Sequence, residues 1–163
     1  MRTIPDPGFA GDDGAVDPAV AAALARYDAD PAEHLAALAV VQHARVLVPV
    51  VAVLGEVEHD EHGRAHDKTS DMATVLMEGA DGRKALLAFT GTASLARWNP
   101  RARPVPVALR LAAQSAVQEG ADAVVLDVAG PALFPVEGEA LRALAAGSTL
   151  VRLDDGWGWA RPA

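Results

Sequence analysis

Three of the five histidines fall in one acidic stretch, Glu58-His59-Asp60-Glu61-His62-Gly63-Arg64-Ala65-His66-Asp67. Imidazole nitrogens and carboxylate oxygens are suitable donors for zinc or nickel. The histidine spacing converges on one ion only if the segment turns helically, and Gly63 opposes a stable helix. A solvated polar loop accounts for the same residues, so His59, His62 and His66 are weak metal candidates. Lys68, Ser70 and Asp71 follow as a charged knot before an apolar run. A Lys–Ser or Asp–Ser pair becomes nucleophilic only with a desolvated base within hydrogen-bond reach, and a polar loop capping a strand is the simpler reading. Phe89-Thr90-Gly91-Thr92 joins an apolar run to a short helix. Amide donors at such a turn can hold an anion; a threonine N-cap explains the same residues without a ligand. Trp98, at the end of that helix, reads as a packing residue, or as a partner anchor if exposed. Asp127 lies in an otherwise apolar run. A buried carboxylate needs partners and is a functional candidate, or it ends the strand and bonds the next turn. The candidate ligand or partner surface is therefore Lys68, Asp71, Thr90, Gly91, Trp98 and Asp127. His34 and His43 read as structural.

No G-x-S-x-G, H-E-x-x-H, dinucleotide or P-loop motif occurs, and the chain has no cysteine. Disulfides, thiolate catalysis and thiolate metal sites are thereby excluded. No catalytic residue and no cofactor are assigned. The net charge of -8, with only Lys68 and Lys84 as lysines, opposes nucleic-acid binding, which needs clustered cations. No apolar run approaches the roughly 20 residues that span a bilayer. The N-terminus, Met1-Arg2-Thr3-Ile4-Pro5-Asp6-Pro7, has no apolar signal core, so a cytoplasmic location is expected. Frequent Ala, Val and Arg with little Lys points to a GC-rich bacterial coding sequence.

These residues must be held by a scaffold. Residues 1–16, rich in Gly, Pro and Asp, are expected to be disordered, and 17–163 to form one domain. Asp17-Pro18 opens a helix, with Asp as N-cap and Pro at the first turn. Asp30-Pro31-Ala32-Glu33 opens a second. Arg45–Val53 is β-branched on both faces and predicts a covered strand; Pro49 places it at an edge or at a bulge. Residues 55–71 read as an exposed loop. Met72–Glu78 and Lys84–Phe89, flanking Asp81-Gly82, predict an antiparallel hairpin. A short helix over Thr92–Trp98 precedes an extended Pro104-Val105-Pro106-Val107. The next helix carries Leu109, Ala112, Ala113, Ala116 and Val117 on one face. A buried strand over Ala123–Val128, a helix near Glu137–Ala146 and a strand over Leu150–Leu153 complete the order. Trp157 and Trp159 are expected to fold back onto the domain or to form a sticky tail. The fold class is α/β (α+β): a mixed β-sheet containing a β-hairpin, with helices packed on it.

Several segments together resemble the N-terminal domain of the SseB (enhanced serine sensitivity) family, in its actinobacterial form. They are Leu47-Val48-Pro49-Val50 before a polar loop, Asp67-Lys68-Thr69-Ser70-Asp71-Met72 before a hairpin, and Ala88-Phe89-Thr90-Gly91 before a helix ending at Trp98. Arg103-Pro104-Val105-Pro106-Val107 and Leu126-Asp127-Val128-Ala129-Gly130-Pro131 continue the series, which covers roughly residues 35–147. The resemblance implies an α/β fold and supplies no activity, catalytic residue or cofactor. Longer members carry a further C-terminal domain, which this chain is expected to lack.

An ordered core without a recognisable catalytic constellation leads to a first expectation, a non-enzymatic cytoplasmic module that binds a protein partner or itself. The second is a small-molecule or anion binder, or an enzyme, using the Thr90-Gly91 turn. A deep pocket there favours the second expectation over the first. The third is metal capture by His59, His62 and His66.

Overall fold

The computed structural model describes Phe9, residues 11–52 and residues 72–163. His59, His62, His66, Lys68, Asp71 and the loop over 55–71 lie outside the described residues. The element order is α1 (Pro18–Ala29), a 3-10 turn (Pro31–Glu33), α2 (His34–Val41), β1 (Arg45–Ala52), β2 (Met72–Thr74), β3 (Leu76–Glu78) and β4 (Lys84–Ala88). It continues with α3 (Thr92–Trp98), β5 (Arg103–Ala108), α4 (Leu109–Gln118), β6 (Ala123–Leu126), β7 (Phe134–Glu137), α5 (Gly138–Ala145), β8 (Thr149–Leu153) and β9 (Gly156–Ala160). Helices and a mixed sheet are combined as expected.

Both anticipated helix starts are capped as read: Asp17 accepts from the Ala19 amide and Asp30 from the Ala32 amide. The second signal first produces the 3-10 turn, and α2 begins only at His34. Residues 11–16, expected to be disordered, are held in place. Asp12 and Asp13 accept from the Gly14 and Ala15 amides, and Arg45 reaches from β1 to the Asp12 carboxylate, the Ala15 carbonyl and the Thr90 carbonyl. Composition marks the turn; the guanidinium that anchors it comes from far along the chain.

Three strands run in the order β2-β1-β5 and four in the order β3-β4-β6-β7. The two groups meet where Leu47 and Phe89 exchange backbone hydrogen bonds of 2.7 and 2.8 Å. The hairpin forms at Glu78↔Lys84 around Gly82, whose φ of 80° suits glycine. The run Met72–Glu78 is nonetheless divided: β2 pairs with β1 and β3 with β4. β4 and β6 are parallel and are joined through α3, β5 and α4, the long crossover that parallel neighbours need.

The prolines show how strand edges are handled. β1 is not an edge strand, contrary to the expectation from Pro49. Pro49 pairs with Pro104 on one side, and β2 pairs only residues 50–52 on the other, so its missing donor falls beyond the end of β2. Leu47 spends both backbone groups on Phe89, so its partner Pro106 turns its ring nitrogen outward; Pro104, two residues away, does the same. The missing donors of β5 thus lie on its open edge. β7 was not anticipated, because Pro135 and only four residues read against a strand. Pro135 faces the outer edge of β7, where its carbonyl accepts from His34 Nε2 at 2.7 Å. The His34 ring also stacks on Phe134, 4.6 Å between centroids.

The main core joins Val20, Leu24, Leu38 and Val41 of the first helices with Leu86, Val124, Phe134 and Val136 of the sheet and with Leu109, Leu141 and Leu144 of α4 and α5. Burying each such side chain contributes about 1.5–3 kcal/mol. Val117, assigned to the buried face of α4, is exposed, as is Leu111; α4 buries a narrower stripe of Leu109, Ala112, Ala113 and Ala116. The tryptophan segment does fold back, as the strand β9 paired with β8.

Gln42 fixes that hairpin. Its side-chain amide accepts from the Leu150 amide at 2.7 Å and donates to the Leu150 carbonyl at 2.9 Å, pairing as a neighbouring peptide group would. Gln42 is 7% exposed, so Gln42→Leu leaves two backbone groups unpaired and costs about 2–3 kcal/mol. Urea denaturation should show that loss, and hydrogen exchange should quicken first across 149–160. Unchanged protection there would show that Gln42 does not hold the hairpin.

Candidate functional site

The parallel strands β4 and β6 end side by side at Ala88 and Leu126. The chain then turns away from each, into Phe89-Thr90-Gly91 before α3 and into Asp127-Val128-Ala129-Gly130 before β7. The residue at the second turn is Asp127, with φ of 53°, a left-handed conformation that Asp tolerates better than most residues. The residue is 1% exposed. One carboxylate oxygen accepts from the Thr90 amide at 2.9 Å and the other from the Thr90 hydroxyl at 2.7 Å. Its amide donates to the Ala88 carbonyl. Asp127 therefore clamps the end of β6 to the turn that launches α3, and both its oxygens have partners. Both alternatives posed for Asp127 meet here: it is buried, and it bonds a turn, although that turn is the one after β4.

Thr90 does not cap α3; its hydroxyl is spent on Asp127. Gly91 is the N-cap. The Ser94 hydroxyl donates to the Gly91 carbonyl at 3.0 Å and accepts from its amide at 3.4 Å. A side chain at Gly91 would stand 3.0 Å from the Val16 nitrogen and 3.1 Å from the Gly14 carbonyl, so the N-terminal segment lies directly on this glycine. Gly14 is also fixed to α3, its carbonyl accepting from the Thr92 amide at 2.8 Å. The polar groups of this turn are largely consumed by the protein itself.

What remains beside the turn is a cleft of about 580 Å³. One wall is α1, with Ala21, Leu24, Ala25 and Asp28; the other is α3, with Ala93 and Arg97; Val16, Pro131 and Ala132 close the ends. Small side chains on both helices leave the space open, and the walls are mainly apolar, with Asp28 and Arg97 bringing opposite charges to the two sides.

Of the sequence-derived candidates, the structure brings Thr90, Gly91 and Asp127 together at the cleft floor. Trp98 is elsewhere: half-buried, it packs on Phe89 at 5.6 Å in a second core cluster with Leu47, Leu87 and Leu95. Sequence reading did not find Arg97, Asp28 or the α1 wall. Alanines at helical spacing signal packing, and only the placing of α1 and α3 around one cleft makes them a surface. Among the described residues no three potential metal ligands cluster, and no helix is long and apolar enough to cross a membrane.

The family model of the SseB protein N-terminal domain matches residues 20–143. The chain belongs to the SseB family. Comparisons with curated proteins and with solved structures gave no match. The matched span of the SseB domain includes most of α1, both strand ends, Asp127 and most of α5, so the clamp and both walls of the cleft lie within it.

If the clamp is structural, its variants should separate by hydrogen-bonding capacity. Asp127→Asn keeps an acceptor for the Thr90 amide, offers a donor to the Thr90 hydroxyl and suits the left-handed backbone, so it should cost less than about 1 kcal/mol. Asp127→Ala strands two buried donors and should cost about 3–5 kcal/mol by urea denaturation. A cheap alanine would show that the clamp is dispensable.

Proposed function

We propose that this SseB domain is a non-enzymatic binding module whose cleft between α1 and α3 takes a small molecule with an apolar body and a charged end. The observation that carries this reading is the cleft itself: about 580 Å³, apolar, and set at the carboxyl ends of two adjacent parallel strands. Ligand sites typically occupy about 300–1,000 Å³ and favour that end of an α/β sheet. Arg97 offers a cation for an anionic group, and Asp28 a carboxylate on the facing wall. Binding rather than turnover is supported by Asp127, whose two oxygens are committed to Thr90. The same commitment weighs against an anion cradle at Thr90-Gly91 and for the apolar cleft beside it. We take the cytoplasm as the setting, since a chain without cysteine loses nothing in a reducing compartment.

Anilinonaphthalene sulfonate, an aromatic body with one anionic group, is a direct probe. It should bind the folded protein with enhanced fluorescence. Ala93→Phe, which fills the cleft from an exposed position, should weaken binding at least about tenfold without loss of stability. Arg97→Gln should weaken it less and remove its salt dependence. Binding indifferent to Ala93→Phe in a cooperatively folded variant would reject the cleft as the site.

A further inference from the structure

Three strand edges among the described residues carry an identifiable protection. β5 turns Pro104 and Pro106 outward, β7 has Pro135 with its carbonyl covered by His34, and β8 is covered at Leu150 by the Gln42 amide. β9 differs. Because Leu150 directs both backbone groups to Gln42, Leu150↔Trp159 is a non-hydrogen-bonded pair of the ladder, and by alternation so is Arg152↔Trp157. The backbone N–H and C=O groups of Trp157 and Trp159 therefore point away from β8. Among the described residues they have no partner. The sequence Gly156-Trp157-Gly158-Trp159-Ala160 places neither proline nor lysine on this edge, the usual protections against strand addition.

The side chains beside that edge are not neutral. Trp157, Trp159 and Leu150 share the inward face of the hairpin, and a groove of about 660 Å³ separates them from α5. Arg142 on α5 and Arg161 after β9 line it, opposed by Glu139 alone. Arg152 stands 5.0 Å over the Trp157 ring. In a chain of net charge -8 the groove itself is lined by two arginines and one glutamate, with Asp154 and Asp155 at the hairpin turn outside its lining.

We propose that the β9 edge and the groove against α5 form a docking site for an extended acidic peptide of a partner protein, which adds as a strand to β9. Its backbone pairs with Trp157 and Trp159, which supplies affinity independent of sequence. Alternate side chains enter the groove, where an aspartate or glutamate meets Arg142 and Arg161 and an apolar neighbour packs on the tryptophans. Tryptophan and arginine are the residue types that dominate binding energy at protein interfaces. This site is separate from the α1–α3 cleft, and neither reading depends on the other.

The test uses the full chain and two blocked hexapeptides, alternating Glu-Val and alternating Lys-Val. The acidic peptide should shift and protect the backbone amides of Trp157 and Trp159 in nitrogen-15 spectra. The lysine peptide should bind at least about tenfold more weakly. Arg142→Glu combined with Arg161→Glu, both at exposed positions, should invert that preference with the hairpin intact. Ala93→Phe should leave it unchanged. Equal binding of the two peptides, or shifts that avoid β9, would overturn the proposal. So would a concentration-dependent dimer that protects the same amides without peptide, since the occupant would then be a second copy.

Discussion

The fold turns on one buried carboxylate. Two parallel strands end together, and the chain leaves them in different directions, which leaves backbone donors without ladder partners at that level. Asp127 resolves this by accepting from both donors of Thr90 while its own amide continues the pairing with β4. A charge desolvated this far is tolerable only when hydrogen bonds replace its hydration. The α3 launch angle, the resting place of Gly14 and Val16 on Gly91, and the gap between α1 and α3 all follow from where Thr90 is held.

Much of the scaffold was legible because its signals are local. The Asp-Pro helix starts, the Asp81-Gly82 turn, the alanine-rich α4 and the apolar β6 are each specified by near neighbours. What was missed depends on distant partners. β7 contains a proline, and it exists because β6 offers a free side and His34 takes the outward carbonyl. Pro49 reads as a sign of an edge or a bulge, yet β1 runs in unbroken register with β5 and is paired on both sides, because the neighbour on the donor-less side stops short. Residues 11–16 read as disordered from composition, but Arg45 supplies the anchor. β9, two tryptophans each preceded by a glycine, becomes a strand because β8 is presented to it and Gln42 steadies β8.

The site was legible in part. Asp127 stood out because a carboxylate in an apolar run must be partnered or functional, and Thr90-Gly91 stood out as a strand-to-helix turn. That they bond each other follows only from the parallel register of β4 and β6. The cleft itself was invisible, since Ala21, Ala25 and Ala93 advertise packing, and nothing near Arg97 in sequence marks it as lining a cavity. Membership of the SseB family agrees with the fold class and names no ligand. The domain then presents two surfaces of different chemistry: an apolar cleft whose polar floor is satisfied, and a strand edge whose backbone is not.

The most direct measurement of the central claim is hydrogen exchange at the Thr90 amide. If Asp127 holds that amide in a dry clamp, it exchanges only with global unfolding, in the same slow class as the Leu87 amide in β4. Exchange at the rate of an open turn amide, such as that of Asp155, would contradict the clamp and with it the origin of the cleft.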